Sequence, residues 1–197
     1  MHATRSTQVP AAVSSALPVS AAVHHARWQT LTREATRALE ERRNGWARQL
    51  YEEALAEADG VIAAAVRLPT DEVSRLAPAL YDTSCRHVAD LARQQEDAQT
   101  EGIFLYRSYE RLVQLAEGAN TPIALRLSCA RYVQVALDAL VEYLSQQGSS
   151  GLVSRHTERA QAAALEVERA LGIAESQETA GSPQSRGTTG VRKRSGS

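Results

Sequence analysis

Apolar residues recur at three- and four-residue steps along most of this chain, and this spacing constrains the fold more than any other feature. Trp28, Leu31, Ala35, Ala38 and Leu39 form the first such series. Residues at these steps lie on one face of an α-helix. Since 43% of the residues are hydrophobic but only 5% are aromatic, the apolar faces consist mostly of Ala, Leu and Val, which suit close helix packing. The sequence therefore predicts an all-α fold.

Turn-forming residues divide this pattern into about six helices. The breaks fall at residues 42–45, Pro69, 94–100, 118–122 and 147–151. We expect Gly45 to adopt the left-handed cap of the first helix, Pro78 either to kink the third helix or to divide it, and Gly172 to end the sixth. A short connection forces two helices to pack antiparallel. The predicted architecture is a stack of antiparallel helix hairpins.

The two ends of the chain differ in composition from the body. Residues 1–23 are rich in Ala, Ser, Val and Pro without helical periodicity, which predicts a flexible leader and makes a poor signal peptide. Residues 24–173 form the predicted helical domain, which carries 17 basic and 21 acidic residues. Residues 174–197 have almost no large apolar side chain and include Arg192-Lys193-Arg194. We predict that this segment is a disordered basic tail.

The cysteines indicate a reducing compartment. Cys85 and Cys129 are too few for a disulfide framework, and each lies in an apolar helical pattern, where a free thiol packs as a small hydrophobe. No apolar run approaches the ~18 residues that a membrane-spanning helix needs. We therefore predict a cytoplasmic protein that does not enter a membrane.

The first two helices resemble the tetratricopeptide repeat. The motif is carried by Leu31…Ala35-x-x-Ala38 followed by Ala47-x-x-x-Tyr51-x-x-Ala54-Leu55. Small residues let two helices approach, while Tyr51 and the leucines fill the space between successive pairs. The resemblance covers about residues 26–147 and extends to a bacterial family of tetratricopeptide-like proteins of unknown function. The resemblance implies a stack of helix hairpins like that of tetratricopeptide-repeat (TPR) proteins.

Two internal echoes accompany this resemblance, and both depart from it. They are Ala47-x-x-x-Tyr51-x-x-Ala54 with Gly102-x-x-x-Tyr106-x-x-Tyr109, and Pro78 to Cys85 with Pro122 to Cys129. Their spacings of 55 and 44 residues exceed the roughly 34 residues of a tetratricopeptide repeat. Tyr109 also stands where that motif has a small residue.

The resemblance implies a binding surface on the first helix of each hairpin. The residues placed there are Thr32, Thr36, Asp82, Arg86, Asp90, Arg126 and Gln134. Since residues four apart are neighbours on a helix, each set forms a strip along its own helix. The alternative is a solvated face on which Arg86 pairs with Asp82 and Asp90, an arrangement that contributes little stability.

No residue cluster in the sequence carries recognisable catalytic chemistry. His87 lies two positions after Cys85 and so points elsewhere on a helix, and no Cys-x-x-Cys or His-x-x-x-His spacing supports a metal site. We therefore predict no enzymatic activity, no metal and no cofactor. A helical body with more acidic than basic residues also disfavours nucleic acid as a partner.

These observations lead to three functional hypotheses. The first is a protein-interaction module, an adaptor or chaperone-like protein that holds a peptide or helix of an unidentified protein on the concave face of its stack. The second is a structural protein that associates with itself as a homodimer, because a short hairpin array leaves terminal apolar faces uncovered. The third is a regulator that contacts nucleic acid through the basic tail.

Overall fold

Six α-helices make up the part of the chain that the computed structural model describes, residues 21–181, with side chains described for residues 21–70 and 72–172. No strand occurs within residues 21–181. The helices are α1 (Ala21–Glu40), α2 (Asn44–Arg67), α3 (Asp71–Gln94), α4 (Ala98–Glu117), α5 (Ile123–Gln146) and α6 (Ser150–Gly181). The prediction of an all-α fold with six helices is confirmed.

The helices pair as three antiparallel hairpins, α1–α2, α3–α4 and α5–α6, as predicted. Each pair is joined by a turn of three residues. All three turns contain one residue in the left-handed backbone conformation. Arg42, Glu96 and Gly148 adopt φ angles of 58°, 59° and 69° respectively. In each turn the next N–H donates to a carbonyl five residues earlier, which satisfies a free carbonyl at the helix end.

The hairpins stack so that the helices form two layers. Helix α3 packs against α5, and α4 packs against α6. The indole N–H of Trp28 on α1 donates to Ser84 on α3, and Arg107 on α4 reaches Asp59 on α2. The odd-numbered helices therefore form one layer and the even-numbered helices form the other.

Small residues bring the helices of the first hairpin together. Ala35, Ala47 and Ala54, which the sequence predicts at this interface, are 0%, 0% and 1% exposed. Gly60 serves the same purpose, since a Cβ at this position would lie 2.4 Å from the His24 ring. This close approach buries the apolar faces of the two helices.

Several helix boundaries differ from the sequence prediction. Gly45 lies in the first turn of α2, because Arg42 takes the left-handed position instead. The predicted loop at 94–100 shrinks to residues 95–97, since the Asp97 carboxylate accepts from the Thr100 N–H and caps α4. Pro78 does not divide α3, which is one helix from Asp71 to Gln94.

The two helices at the ends of the described range are longer than predicted. Residues 21–23, placed in the leader, belong to α1, where Ala21 packs against the core. Helix α6 continues through Gly172 to Gly181, because a single glycine costs only about 1 kcal/mol in a helix. The predictions of a flexible leader and a disordered tail for residues 1–20 and 182–197 lie outside the described residues.

Of the two sequence echoes, the one of 55 residues joins the equivalent helices α2 and α4, whereas the one of 44 residues does not follow the structural repeat. Pro78 lies inside α3, whereas Pro122 caps the start of α5, so the two prolines are not equivalent. The left-handed turn residues mark the repeat instead, and they lie 54 and 52 residues apart.

Candidate functional site

The exposed side of the odd-numbered helices, here called the odd-helix face, is a continuous surface of three neighbouring helices. Trp28 joins α1 to α3 through a bond of 2.7 Å from its indole nitrogen to Ser84 Oγ. Arg86 joins α3 to α5, because its Nη2 donates to the Val135 carbonyl at 2.5 Å. All seven residues that the sequence predicts for partner binding belong to these three helices.

The two threonines of α1 lie at one end of this face. Thr32 is half-buried, and its Oγ1 is buried without a hydrogen-bond partner among the described residues. Thr36 is exposed, and its hydroxyl donates to the Thr32 carbonyl at 3.0 Å. It also lies 3.3 Å from the Tyr51 hydroxyl. The structure therefore places these threonines away from the charged residues of α3 and α5.

Asp82 does not face an open groove, which corrects the sequence prediction. It is only 4% exposed, and its carboxylate accepts from Ser108 at 2.8 Å and from Arg86 at 2.9 Å. Burial raises the pKa of Asp82, while the bonds from Ser108 and Arg86 oppose that rise. This carboxylate joins α3 to α4 and holds Arg86 in position.

Arg126 is also buried, and the prediction that it lines a groove is corrected in the same way. It is 8% exposed, and its Nε donates to the Ala116 carbonyl at 2.8 Å. It therefore ties the start of α5 to the end of α4, where helix carbonyls lack partners. Gln134 is exposed and donates to Asp138 at 2.8 Å along the same helix.

Arg86 and Asp90 come together at a cleft between α3 and α5, with α4 at its floor. The cleft has a volume of about 280 Å³. It is lined by Arg86, Ala89, Asp90 and Arg93 of α3, Glu101 and Leu105 of α4, and Ala139, Glu142, Tyr143 and Gln146 of α5. Of the seven predicted residues, the cleft brings together only these two.

The sequence prediction missed Glu101, the most buried charge of this cleft. It is 8% exposed, although acidic residues are almost never fully buried unless they are paired. Burial raises its pKa; the Arg93 guanidinium opposes this rise, and the Asp90 and Glu142 carboxylates add to it. Its spacing of four residues from Leu105 places it on the buried stripe of α4, and this was the signal available in the sequence.

Tyr143 closes the end of the cleft. Its hydroxyl donates to the Ala98 carbonyl at 3.1 Å, near the start of α4. Gly102 makes room for this side chain, because a Cβ at Gly102 would lie 2.5 Å from the Tyr143 hydroxyl. The ring is therefore held in place from both α4 and α5.

The two thiols are packed in the core. Cys85 and Cys129 are both 0% exposed, and burial raises the pKa of each to about 12. Each is therefore a neutral thiol near pH 7, a poor nucleophile and a poor metal ligand. Among residues 21–172, no group of three or more His, Cys, Asp or Glu side chains is placed to hold a metal ion. None of the described helices has the length and apolar character needed to cross a membrane.

The structure defines an all-α stack of three helix hairpins with a charged cleft in its odd-helix layer. Comparison with family models places the chain in a family described as "Protein of unknown function (DUF2753)", with residues 26–175 matched. The match spans most of the chain, so the protein belongs to this family. No curated protein and no solved structure matches the chain significantly.

Proposed function

We propose that this protein is an interaction module that holds a peptide or helix of a partner protein on its odd-helix face. The observation that carries this proposal is the cleft between α3 and α5, which opens between two helices of one layer and is lined by both apolar and charged side chains. Binding sites in helical stacks commonly lie in such grooves between neighbouring helices.

The resemblance to tetratricopeptide repeats supports the same function. In that family the first helix of each hairpin lines the binding surface, and here α1, α3 and α5 occupy the corresponding positions in their hairpins. An adaptor or chaperone-like role in the bacterial cytoplasm fits this comparison. A shared fold does not identify the partner, which depends on the chemistry of the cleft.

A bulky residue placed in the cleft tests this proposal. Ala139 lines the cleft on α5, and Ala139→Phe would fill it without removing any hydrogen bond. Ala162→Phe makes the same change on the exposed surface of α6. Peptides selected from a display library on the full-length protein should lose affinity for Ala139→Phe and keep it for Ala162→Phe. Equal binding to both variants would contradict the proposal.

Self-association is a second candidate, and an apolar groove at the outer edge of the first hairpin favours it. This groove has a volume of about 680 Å³ and is lined mainly by Ala22, Val23, Ala26 and Leu31 of α1, with Glu53 and Glu57 of α2 at its edge. No further hairpin packs on this side of α1 within the described residues. A second copy of the chain would cover the exposed apolar side chains.

Light scattering across a dilution series distinguishes this candidate. A dimer that persists on dilution, and that dissociates in Ala26→Glu but not in Ala162→Glu, supports self-association. A monomer at every concentration excludes it. The third hypothesis, nucleic-acid binding, rests on Arg192-Lys193-Arg194, which lie outside the described residues.

A further inference from the structure

The cleft between α3 and α5 contains more negative charge than its own cations neutralise. Both of its arginines already have carboxylate partners in close contact: Arg86 is bonded to Asp82 at 2.9 Å, and Arg93 is bonded to Asp90. These two pairs lie largely within α3. The remaining charges of the cleft therefore belong to Glu101 on α4 and Glu142 on α5.

Neither of these two glutamates accepts a side-chain hydrogen bond from a described arginine. Glu101 is 8% exposed, and its nearest cation is Arg93, whose Nε lies 4.0 Å from Oε1, beyond hydrogen-bond distance. No side-chain hydrogen bond reaches Glu101 from any described residue. Glu142 forms no ion pair within residues 21–172. A largely buried carboxylate whose ion pair is this long is costly to keep charged, so a cationic ligand in the cleft would stabilise it.

Part of the remaining wall of the cleft is apolar. Ala89, Leu105 and Ala139 line it on α3, α4 and α5, and Leu105 is 7% exposed. A small metal ion would gain nothing from such walls. A long alkyl chain that ends in a cation matches both parts of the cleft, since its methylene groups would pack on the apolar walls.

We propose that this cleft takes the side chain of a lysine or arginine from a partner peptide that lies along the odd-helix face. The charged end pairs with Glu101 and Glu142, and the methylene chain contacts Ala89, Leu105 and Ala139. The inference rests on the proposed function, because it names the chemistry of the partner that the same face binds. The occupant is a basic segment of another protein.

Display selection on the full-length protein supplies the probes for the test. Peptides selected on the wild type should carry a lysine or arginine at one fixed position. Replacing that residue by methionine should weaken binding to the wild type at least about tenfold, which corresponds to one charge-assisted hydrogen bond. On Glu101→Gln the same replacement should change affinity by less than about threefold.

Two matched variants complete the design. Glu142→Gln alters an exposed rim residue and so keeps the test valid if Glu101→Gln folds poorly; it should also reduce the preference for a basic residue. Glu158→Gln makes the same change on the exposed surface of α6 and should leave the preference intact. Fluorescence anisotropy with the labelled peptides measures each affinity.

The possible failures can be told apart. If the selected peptides lose affinity for Ala139→Phe but share no basic residue, this inference is wrong and the proposed function stands. If no selected peptide responds to Ala139→Phe, the proposed function itself is wrong. If removal of residues 182–197 increases peptide affinity, the basic tail of this chain occupies the cleft, and a basic segment of another protein is not its occupant.

Discussion

The boundary between the first and second hairpins differs in chemistry from the boundary between the second and third. At the first boundary the contacts that α3 makes with α1 and α2 are neutral: Trp28 donates to Ser84 at 2.7 Å, and the Tyr51 and His87 rings lie 4.7 Å apart. At the second boundary the contacts involve charge. Arg86 of α3 donates to the Val135 carbonyl of α5, and Asp82, which Ser108 of α4 also bonds, holds this guanidinium in position.

This difference explains where the cleft lies. Rings and small residues pack closely where α3 meets α1 and α2, whereas a cleft of about 380 Å³ lies beside Asp59 and Arg107, between α2 and α4. Charged groups keep contact with water unless every bond is satisfied, so a boundary that depends on them packs less completely. The cleft forms at the second boundary, next to Arg86. The contacts of α3 thus differ on its two sides: those with α1 and α2 are neutral, and the contact with α5 is charged and borders the cleft.

The largest expected loss of stability comes from the carboxylate that holds Arg86 in position. Asp82→Ala would leave Ser108 and Arg86 without their shared acceptor, and we expect the free energy of unfolding to fall by about 2 kcal/mol. Urea denaturation measures this loss. Asp138→Ala removes an exposed carboxylate that bonds only Gln134 and should cost less than about 0.5 kcal/mol. Similar losses in both variants would show that the hydrogen bonds of Asp82 contribute little to stability.

Acidification should weaken both boundaries through two histidines. His87 contacts Tyr51 at the first boundary, and His156 packs against Tyr106 and Tyr109 at the second. Burial lowers the pKa of each; Asp90 opposes this for His87, and Glu110 opposes it for His156. The unfolded chain therefore binds protons at a higher pH than the folded chain does. This contribution to stability is complete above about pH 6.5 and decreases as the pH falls below it.

The expected loss between about pH 7.5 and about pH 5.5 is on the order of 1 to 2 kcal/mol, since each histidine contributes at most about 1.4 kcal/mol per pH unit. Urea denaturation at several pH values measures it. His87→Phe and His156→Phe should each flatten the pH dependence. If neither variant changes it, another group causes the acid sensitivity.

Trp28→Phe tests the neutral boundary. The change keeps an aromatic ring but removes the N–H that donates to Ser84, so we expect a loss of about 1 kcal/mol in the free energy of unfolding. Trp46→Phe is the matched control, because Trp46 is 45% exposed and should change stability by less than about 0.5 kcal/mol. If Trp28→Phe costs no more stability than Trp46→Phe, the hydrogen bond of Trp28 contributes little to the first boundary.

The smallest expected effect comes from Gly102→Ala. Alanine gains about 1 kcal/mol of helix propensity over glycine, but its Cβ would displace the Tyr143 hydroxyl, which lies 2.5 Å from that position. We expect a net change within about 0.5 kcal/mol by urea denaturation. In a Tyr143→Ala background, where the ring carbons that lie 2.6 Å and 2.9 Å from that position are also absent, the same substitution should stabilise the protein more. Equal effects in both backgrounds would show that Tyr143 moves away freely.

The sequence predicts the hairpins well because their determinants are local. Ala35, Ala47 and Ala54 follow helical spacing and are small, and the structure buries all three. The turns were harder to predict. Arg42 and Glu96 adopt left-handed conformations that favour glycine, so the nearby Gly45 indicated the wrong residue.

The cleft was harder still, because it depends on contacts between distant residues. Arg86 and Asp90 were identified from their positions on one helix, but Asp82 on the same strip turned out to be buried against Ser108, 26 residues away. Glu101 and Glu142 come from two further helices. The spacing within one helix carries no information about which side chains meet across three helices.

The matching turns at Arg42, Glu96 and Gly148 have a consequence for how this molecule tolerates changes in length. Each turn returns the chain from the odd layer to the even layer. A helix therefore keeps its layer only while it remains odd-numbered or even-numbered in the order of the chain. The loss or gain of a pair of helices leaves every later helix in its layer. Losing a single helix would exchange the layers for everything that follows, and the carboxylates of the cleft would then no longer meet.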